Sequence, residues 1–448
     1  MRKAARFAIV CALPVITSIA ARLPDLLAEE CTTAVISGQA AADGRPILWK
    51  NRDSDDLSNK VVFVKEAPYS YLGVVNADDP SGRRVWTGLN RAGFAIMNSV
   101  AYNLPQKSSE AQDLEGFIMA DALRTCRTVD DFEGYLKANL GPDIGSRANF
   151  GVIDAEGGAA LFETHNHGYV RIDAGASAEK YVANTNFARS GKEGQGKGLV
   201  RFERETDVLK RAPAGKLSVS FILQQASRDL GNSLLGFPEP EEWQRLPPQP
   251  PRLIFTQHTI NRAWTANCVV VHGVAKGADT CEAMMWIIPG EPVCGIAVPL
   301  WVESEEVPAE LSEGSPVPLY AETLRLKGIL RPYQDDERLD YLDLTRLDNS
   351  SGSGWLPRFL AEERSILDRT ARFTAMQPDK AQKAITTRNS TCRYRFIGGY
   401  SKIASPVTRR SSRLAVRKAV CKSSCACTAS RLVRSASISS REPNSPLA

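Results

Sequence analysis

Six short runs with strand character follow one another between residues 31 and 100, and that succession limits the fold more than any other feature. Residues 32–36, Thr-Thr-Ala-Val-Ile, are mostly β-branched, Ala42-Asp-Gly-Arg-Pro46 is a turn, and residues 46–51 bring the chain back. Residues 61–65, 71–75, 85–89 and 94–98 continue the pattern, the last two joined by Asn90-Arg-Ala-Gly93. Runs so closely spaced suit a meander in one antiparallel sheet, because parallel neighbours need a crossover of about a dozen residues or more.

The period then changes. Leu114, Phe117, Ile118, Ala120, Ala122 and Leu123 recur at helical spacing, and Thr128 is placed to cap a second helix over residues 129–140. Strands return at 150–154, 159–163, 169–172 and 181–183, with Asp154-Ala-Glu-Gly157 as a hairpin turn. The glycine-rich run 191–198 feeds a helix over 199–210, and 219–230 reads as another, capped by Ser218. After a proline-rich connector at 238–251, strands are expected at 265–271, 283–288 and 295–302. Blocks of strands and helices without regular alternation indicate an α+β layered domain. It covers residues 31–335; a helical extension follows at 336–380, with a helix over 357–372. Residues 381–448 form a basic Ser-, Arg- and Cys-rich tail with few apolar runs, expected to be disordered unless an acidic partner orders it.

At the other end, residues 1–6 are basic, and 7–21 are apolar apart from Thr17 and Ser18. That is the order and length of a signal peptide, too short for a comfortable membrane span. Removal of residues 1–21 leaves 22–30 as a short propeptide on an exported protein, periplasmic or secreted, with no stable span. The formal charge of +5 belongs to the tail, where 14 Lys and Arg face Glu442 alone; residues 1–380 hold 42 basic and 50 acidic residues, a balance of −8. A nucleic-acid partner is therefore not expected. In an oxidising compartment some of Cys126, Cys268, Cys281 and Cys294 are expected to pair, although spacing assigns no partners. Cys392, Cys421, Cys425 and Cys427 have no histidine nearby, and no zinc site is read there.

Once residues 1–30 are removed, Cys31 becomes the first residue and gains a free α-amine beside its thiol. The amine titrates near pH 8 and the thiol near about 8.5, so one can take the other's proton. Nucleophile and base then share one residue. The same thiol is placed to attack its own preceding peptide bond and release the propeptide.

Cys31-Thr-Thr, Asp43-Gly-Arg-Pro46, Lys50-Asn-Arg-Asp53, Gly88-Leu-Asn-Arg-Ala-Gly93, Asn149-Phe-Gly-Val-Ile-Asp154, Asn184-Thr-Asn186-Phe and Val200-Arg-Phe-Glu-Arg204 occur in an order that resembles the N-terminal nucleophile hydrolases. Within them the chain is most similar to the acyl-coenzyme A:6-aminopenicillanic acid acyltransferase group, with choloylglycine hydrolases, penicillin V acylases and a dipeptidase family as cousins. The resemblance covers roughly residues 31–300. It implies an αββα four-layer sandwich that matures by exposing its cysteine and acts on an amide-type C–N bond.

It also implies roles for individual residues. Asn186 resembles the oxyanion donor, with Asn184 as fallback and Asn98 as a second donor; Asp53 matches an aspartate that binds the terminal amine or the thiol. Lys50 stands where the choloylglycine group carries arginine, and a cation there favours the thiolate. Lysine lacks the planar fork, so Arg52 is the alternative for orienting the site. Arg201 resembles an arginine that braces the site through charge-assisted bonds.

The expected reaction is thiolate attack on the carbonyl of a small N-acyl substrate, thioester formation with loss of an amine, and resolution by water or another amine. No cofactor is needed. His165 and His167 share a strand face, but with only Glu163 beside them no metal is assigned. No nucleophile-elbow serine accompanies His258 or His272, and residues 191–198 lack the ending of a phosphate loop. Two rivals stay open, a dipeptidase of the same fold and a noncatalytic exported binding protein; homo-oligomerisation is open as well.

Overall fold

The computed structural model describes residues 30–106, 113–232, 234–237, 239–333 and 338–375. The expected signal peptide, the expected propeptide apart from Glu30, and residues 376–448 lie outside them. The chain opens with the hairpin β1 (Glu30–Ile36) and β2 (Ile47–Asp53), then β3 (Asn59–Val64), β4 (Tyr71–Asn76), β5 (Thr87–Asn90) and β6 (Ala95–Val100). Helices α1 (Glu115–Thr125) and α2 (Val129–Asn139) precede β7 (Arg147–Ile153), β8 (Ala159–His165), β9 (Gly168–Asp173) and β10 (Tyr181–Asn184). Helices α3 (Leu199–Lys210) and α4 (Val219–Gln224) lead to β11 (Leu253–Phe255), β12 (Thr265–His272), β13 (Met284–Pro289), β14 (Val298–Leu300) and β15 (Tyr341–Asp343).

One antiparallel sheet runs β10-β1-β2-β12-β13-β14, and a second runs β3 to β9 in chain order; β11 and β15 form a separate ladder. The first six strands thus divide between two sheets instead of making one meander. The reason is long-range: β12 takes the free edge of β2, from Thr265 opposite Asp53 to His272 opposite Ile47, so the chain leaves through residues 54–58 and starts a new sheet.

The sheets stack face to face. At Gly151 they approach closely, since a Cβ there would lie 2.8 Å from Val35 Cγ2 and 3.2 Å from Leu48 Cδ1 of the first sheet. On the far side of the second sheet, Ile96, Phe150, Val152 and Phe162 pack against Ile118, Met119, Phe132 and Leu136 of α1 and α2. Phe132 meets Phe150 and Phe162 edge-on, with centroids 5.6 and 5.2 Å apart. The first sheet is covered by α3, α4 and the helix Pro318–Leu330, and the helix Leu356–Ala375 lies against α4. The architecture is α+β, layered helix–sheet–sheet–helix.

Local signals account for some boundaries. Thr128 caps α2 in a reciprocal box with Asp131, and Ser218 caps α4. Yet α4 ends at Gln224, short of the expected 230. Ser227 Oγ folds back onto Leu223 O at 2.9 Å, and Arg228 turns inward to bond both carboxylate oxygens of Glu363, at 3.0 and 2.9 Å. That buried pair ties α4 to the helix Leu356–Ala375, and Leu342, Leu347, Phe359 and Ile366 join the main core. The expected strand at 295–302 is confined to β14 (Val298–Leu300), after a 3-10 turn at Pro292–Cys294.

The expected disulfides are not formed: Cys126, Cys268, Cys281 and Cys294 are free. They sit at the end of α1, on β12, in a turn before β13 and in a turn after it, each in its own packing environment. No described helix is long and apolar enough to cross a membrane.

Candidate active site

The β1–β2 register sets the geometry. Cys31 lies opposite Arg52, Thr33 opposite Lys50, and Glu30 opposite Asp53. Opposed residues share a face and successive residues alternate. Cys31, Arg52 and Lys50 therefore face the second sheet, whereas Glu30 and Asp53 face the helical layer. Cys31 is 3% exposed.

On the inter-sheet face, Lys50 Nζ donates to Asn98 Oδ1 at 2.7 Å and to Trp86 O at 3.0 Å. Asn98 Nδ2 in turn donates to Glu115 Oε2 at 2.9 Å, and the other Glu115 oxygen accepts the Arg147 N–H at 2.9 Å. The Arg52 guanidinium lies over the Trp86 ring, 4.4 Å from its centroid, and donates to Asn59 Oδ1 at 3.2 Å. The register thus puts Arg52, not Lys50, directly across from Cys31.

Around the Cys31 backbone the contacts are different in kind. Asn186 Oδ1 accepts the Cys31 N–H at 2.8 Å, while Asn186 Nδ2 donates to Val100 O at 3.1 Å. Arg201, fully buried, donates through Nη1 to Cys31 O at 2.8 Å and through Nη2 to Asn186 Oδ1 at 2.9 Å and Glu30 Oε2 at 2.7 Å. Arg262 Nη1 reaches Glu30 Oε2 at 2.8 Å and Asp53 Oδ2 at 3.1 Å, and Thr265 Oγ1 donates to Asp53 Oδ1 at 2.7 Å. Burial pushes the Asp53 carboxyl up, against the opposing pull of Arg262 and Arg201. Burial acts the same way on Glu30, but the charges of Arg201 and Arg262 outweigh it and hold that carboxyl below its ordinary range.

The residues read from the sequence come together with altered partners. Asn186 grips the nitrogen through its oxygen, and one hydrogen of its amide is already on Val100 O. Asn98 is held between Lys50 and Glu115 rather than turned toward the thiol. The fallback Asn184 bonds Thr185 O, Phe187 O and Arg189, so its amide serves the loop after β10. The sequence reading missed Glu30, Glu115, Arg262 and Thr265. Only Glu115 had a local signal, an acid in the first turn of an expected helix, and the ordinary reading of that is a helix-dipole partner. At the His165–His167 pair, to which no metal is assigned, the His167 N–H donates to His165 Nδ1 and Glu163 accepts from the Arg189 and Ser190 backbone. No metal-competent cluster occurs among the described residues.

Helix α3 is what delivers Arg201. Its start needs Gly198 at φ +77°, where a Cβ would sit 2.6 Å from Arg201 Nη2 and 2.8 Å from Thr185 Oγ1. The buried face of α3 is polar, with Arg201, Arg204 and Glu205 ahead of Val208 and Leu209. Glu205 is fully buried with neither carboxyl oxygen hydrogen-bonded, and burial raises it well above its ordinary range. The folded chain therefore holds that proton more tightly than the unfolded chain, and stability falls as pH rises past the unfolded value. Glu205→Gln is expected to be more stable than the parent at pH 8 by about 1–3 kcal/mol, with the gain vanishing near about pH 4. Thermal melts of both proteins at the two pH values check this; equal melts at pH 8 would refute it.

No protein-family profile matches the chain, and no curated protein matches it by sequence. Among solved structures it is similar to a Caenorhabditis elegans N-acylethanolamine-hydrolyzing acid amidase ortholog, at 15% identity and TM-score 0.32, over 41% of this chain and 80% of that one. It is also similar to a mutant of conjugated bile acid hydrolase from Clostridium perfringens, at 12% identity and TM-score 0.35, over 62% of this chain and 93% of the other. Penicillin V acylase from Agrobacterium tumefaciens follows at 11% identity and TM-score 0.32, over 63% and 88% of the two chains. Likenesses with such low TM-scores decide nothing about the site. The fold and the site together define a two-sheet α+β sandwich with a cysteine near the head of an inner strand, its nitrogen, carbonyl and preceding residue each held by a side chain.

Proposed function

We propose that the protein is an exported, self-maturing cysteine hydrolase or acyltransferase of the N-terminal nucleophile kind. It cleaves a non-peptide amide bond of a small N-acyl compound through a thioester on Cys31. The observation that carries this reading is the grip on the Cys31 nitrogen: Asn186 Oδ1 holds it at 2.8 Å, backed by Arg201. A nitrogen that becomes a terminal amine is already oriented by that acceptor. Asp53, its strand neighbour's partner across β2, supports the same end with Arg262 and Thr265.

In this reading the amine takes the thiol proton, and the thiolate attacks the substrate carbonyl. The Arg52 and Lys50 cations on the thiol's face favour the charged sulfur. The second hydrogen of Asn186 Nδ2 is the donor offered to the oxyanion, a role worth roughly 3 kcal/mol where single donors have been removed. The amine then returns its proton to the leaving nitrogen. Water, deprotonated by the same amine, or a second amine resolves the thioester.

The test is the intact mass of purified protein before and after a chemically reactive N-acyl or acyl-ester probe. The expected chain begins at Cys31 and gains the mass of one acyl group, lost again on treatment with hydroxylamine. A protein that begins elsewhere, or that takes up no acyl group, refutes the proposal. Turnover of N-acyl amino acids without turnover of dipeptides separates it from the dipeptidase reading.

A further inference from the structure

We infer that Glu30, the residue ahead of the nucleophile, is a positioning residue for cleavage of the Glu30–Cys31 peptide bond and is discarded with the segment it ends. This deepens the reading of Cys31 as a nucleophile released by self-cleavage and rests on it.

Strand alternation sends the Glu30 side chain to the face opposite the Cys31 thiol. There its Oε2 accepts from Arg201 at 2.7 Å and from Arg262 at 2.8 Å. Each arginine has a second hold on the same site, Arg201 on Cys31 O and Asn186, Arg262 on Asp53. The peptide bond to be cut is consequently pinned from three sides. Its nitrogen is held by Asn186, the carbonyl of the next peptide by Arg201, and the residue on its acyl side by both guanidinium groups. None of these holds uses the face the thiol attacks from. Reaction of a thiol with an adjacent carbonyl depends on a near-attack geometry, and immobilising the carbonyl's own residue is a direct way to supply it.

The step balances without any added reagent except water. The Cys31 sulfur bonds to the Glu30 carbonyl carbon, the C–N bond to Cys31 breaks, and the thiol proton ends on the freed nitrogen. Water then cleaves the thioester, giving a carboxylate on Glu30 and restoring the thiol. Glu30 and Asp53 both accept from Arg262, and Asp340 lies within its field as well; departure of Glu30 removes one carboxylate from this cluster and shifts the local balance toward positive charge. The surplus positive charge, to which Lys197 and His258 nearby add on protonation, favours the neutral form of the new amine. Departure of Glu30 thus completes the base that the mature site uses.

The experiment follows the appearance of chains beginning at Cys31 by intact mass, in full-length parent, E30D, E30Q and E30A. The expected result is maturation slowed by about 10- to 100-fold in E30Q and E30A, with E30D between them and the parent, as for loss of charge-assisted hydrogen bonds. Mature chains from every variant are the same molecule, so turnover per mature chain is equal. Folding is checked separately by the melts of unprocessed C31A and C31A/E30Q, which should both be cooperative, with the second somewhat lower for the lost charge-assisted bonds. E30A maturing at the parent's rate overturns the role of Glu30 while leaving the nucleophile intact. A parent that never yields a Cys31 terminus overturns both.

Discussion

Cys31→Ala is expected to yield a protein that folds, keeps residues 22–30, and shows turnover lower by at least about 10⁴-fold than the mature parent, the scale seen when a covalent nucleophile is removed elsewhere. The argument is chemical rather than positional. Alanine removes the only atom that can hold the acyl group, and without the thiol the preceding bond stays closed, so the terminal amine is never made. Two functions are lost through one substitution. The side chain is small and sits at a strand end beside polar groups, so the stability change should be modest and the melt close to that of the parent's precursor. Cys31→Ser separates the roles further: it retains a nucleophile of higher pKa, and slow processing with weak turnover is expected. Assay against N-acyl substrates together with terminal sequencing checks all of this. Unchanged turnover in the alanine variant would remove Cys31 from the chemistry, and a parent with no turnover at all would favour the noncatalytic reading.

What was legible beforehand followed from short-range physics. Thr128 before an acidic turn, Ser218 before an apolar run and glycine in Asp154-Ala-Glu-Gly157 each set a boundary through contacts a few residues apart, and each acts that way in the fold. The strand periods were local as well. The division of those strands between sheets was not, because it is decided by β12 docking on β2 across more than two hundred residues of sequence. For the same reason Arg262 and Thr265 stayed hidden although Asp53 was found. A hydrogen bond between residues 53 and 265 leaves no trace near either. Helix α3 is informative in another way. Its Arg201, Arg204 and Glu205 look like a solvated face, but they are the buried one, and an inward charged face is the mark of a site rather than of a core.

Arg262→Met should be the most destabilising single change at the site, by about 3–5 kcal/mol, because it leaves the buried Asp53 charge without its hydrogen-bonded cation. Asp53 is 1% exposed, and Arg262 donates to it at 3.1 Å; on the proposed maturation, which removes Glu30, it stays the carboxylate hydrogen-bonded to Arg262. Thr265 alone does not neutralise it. Asp53→Asn in the same protein removes the orphaned charge, so D53N/R262M is expected to recover a large part of the loss, and the cycle should report a coupling of about 1–3 kcal/mol. The sign of the pH dependence is fixed too. Burial already raises the Asp53 carboxyl, and losing Arg262 raises it further, so the R262M penalty should be largest at neutral pH and shrink as the solution is made acid enough to protonate the group. Urea unfolding of the four proteins at neutral and acid pH measures both effects. Additive losses with no pH dependence would mean that Arg262 acts by packing alone, and the electrostatic support assigned to the amine end of the site would have to be withdrawn.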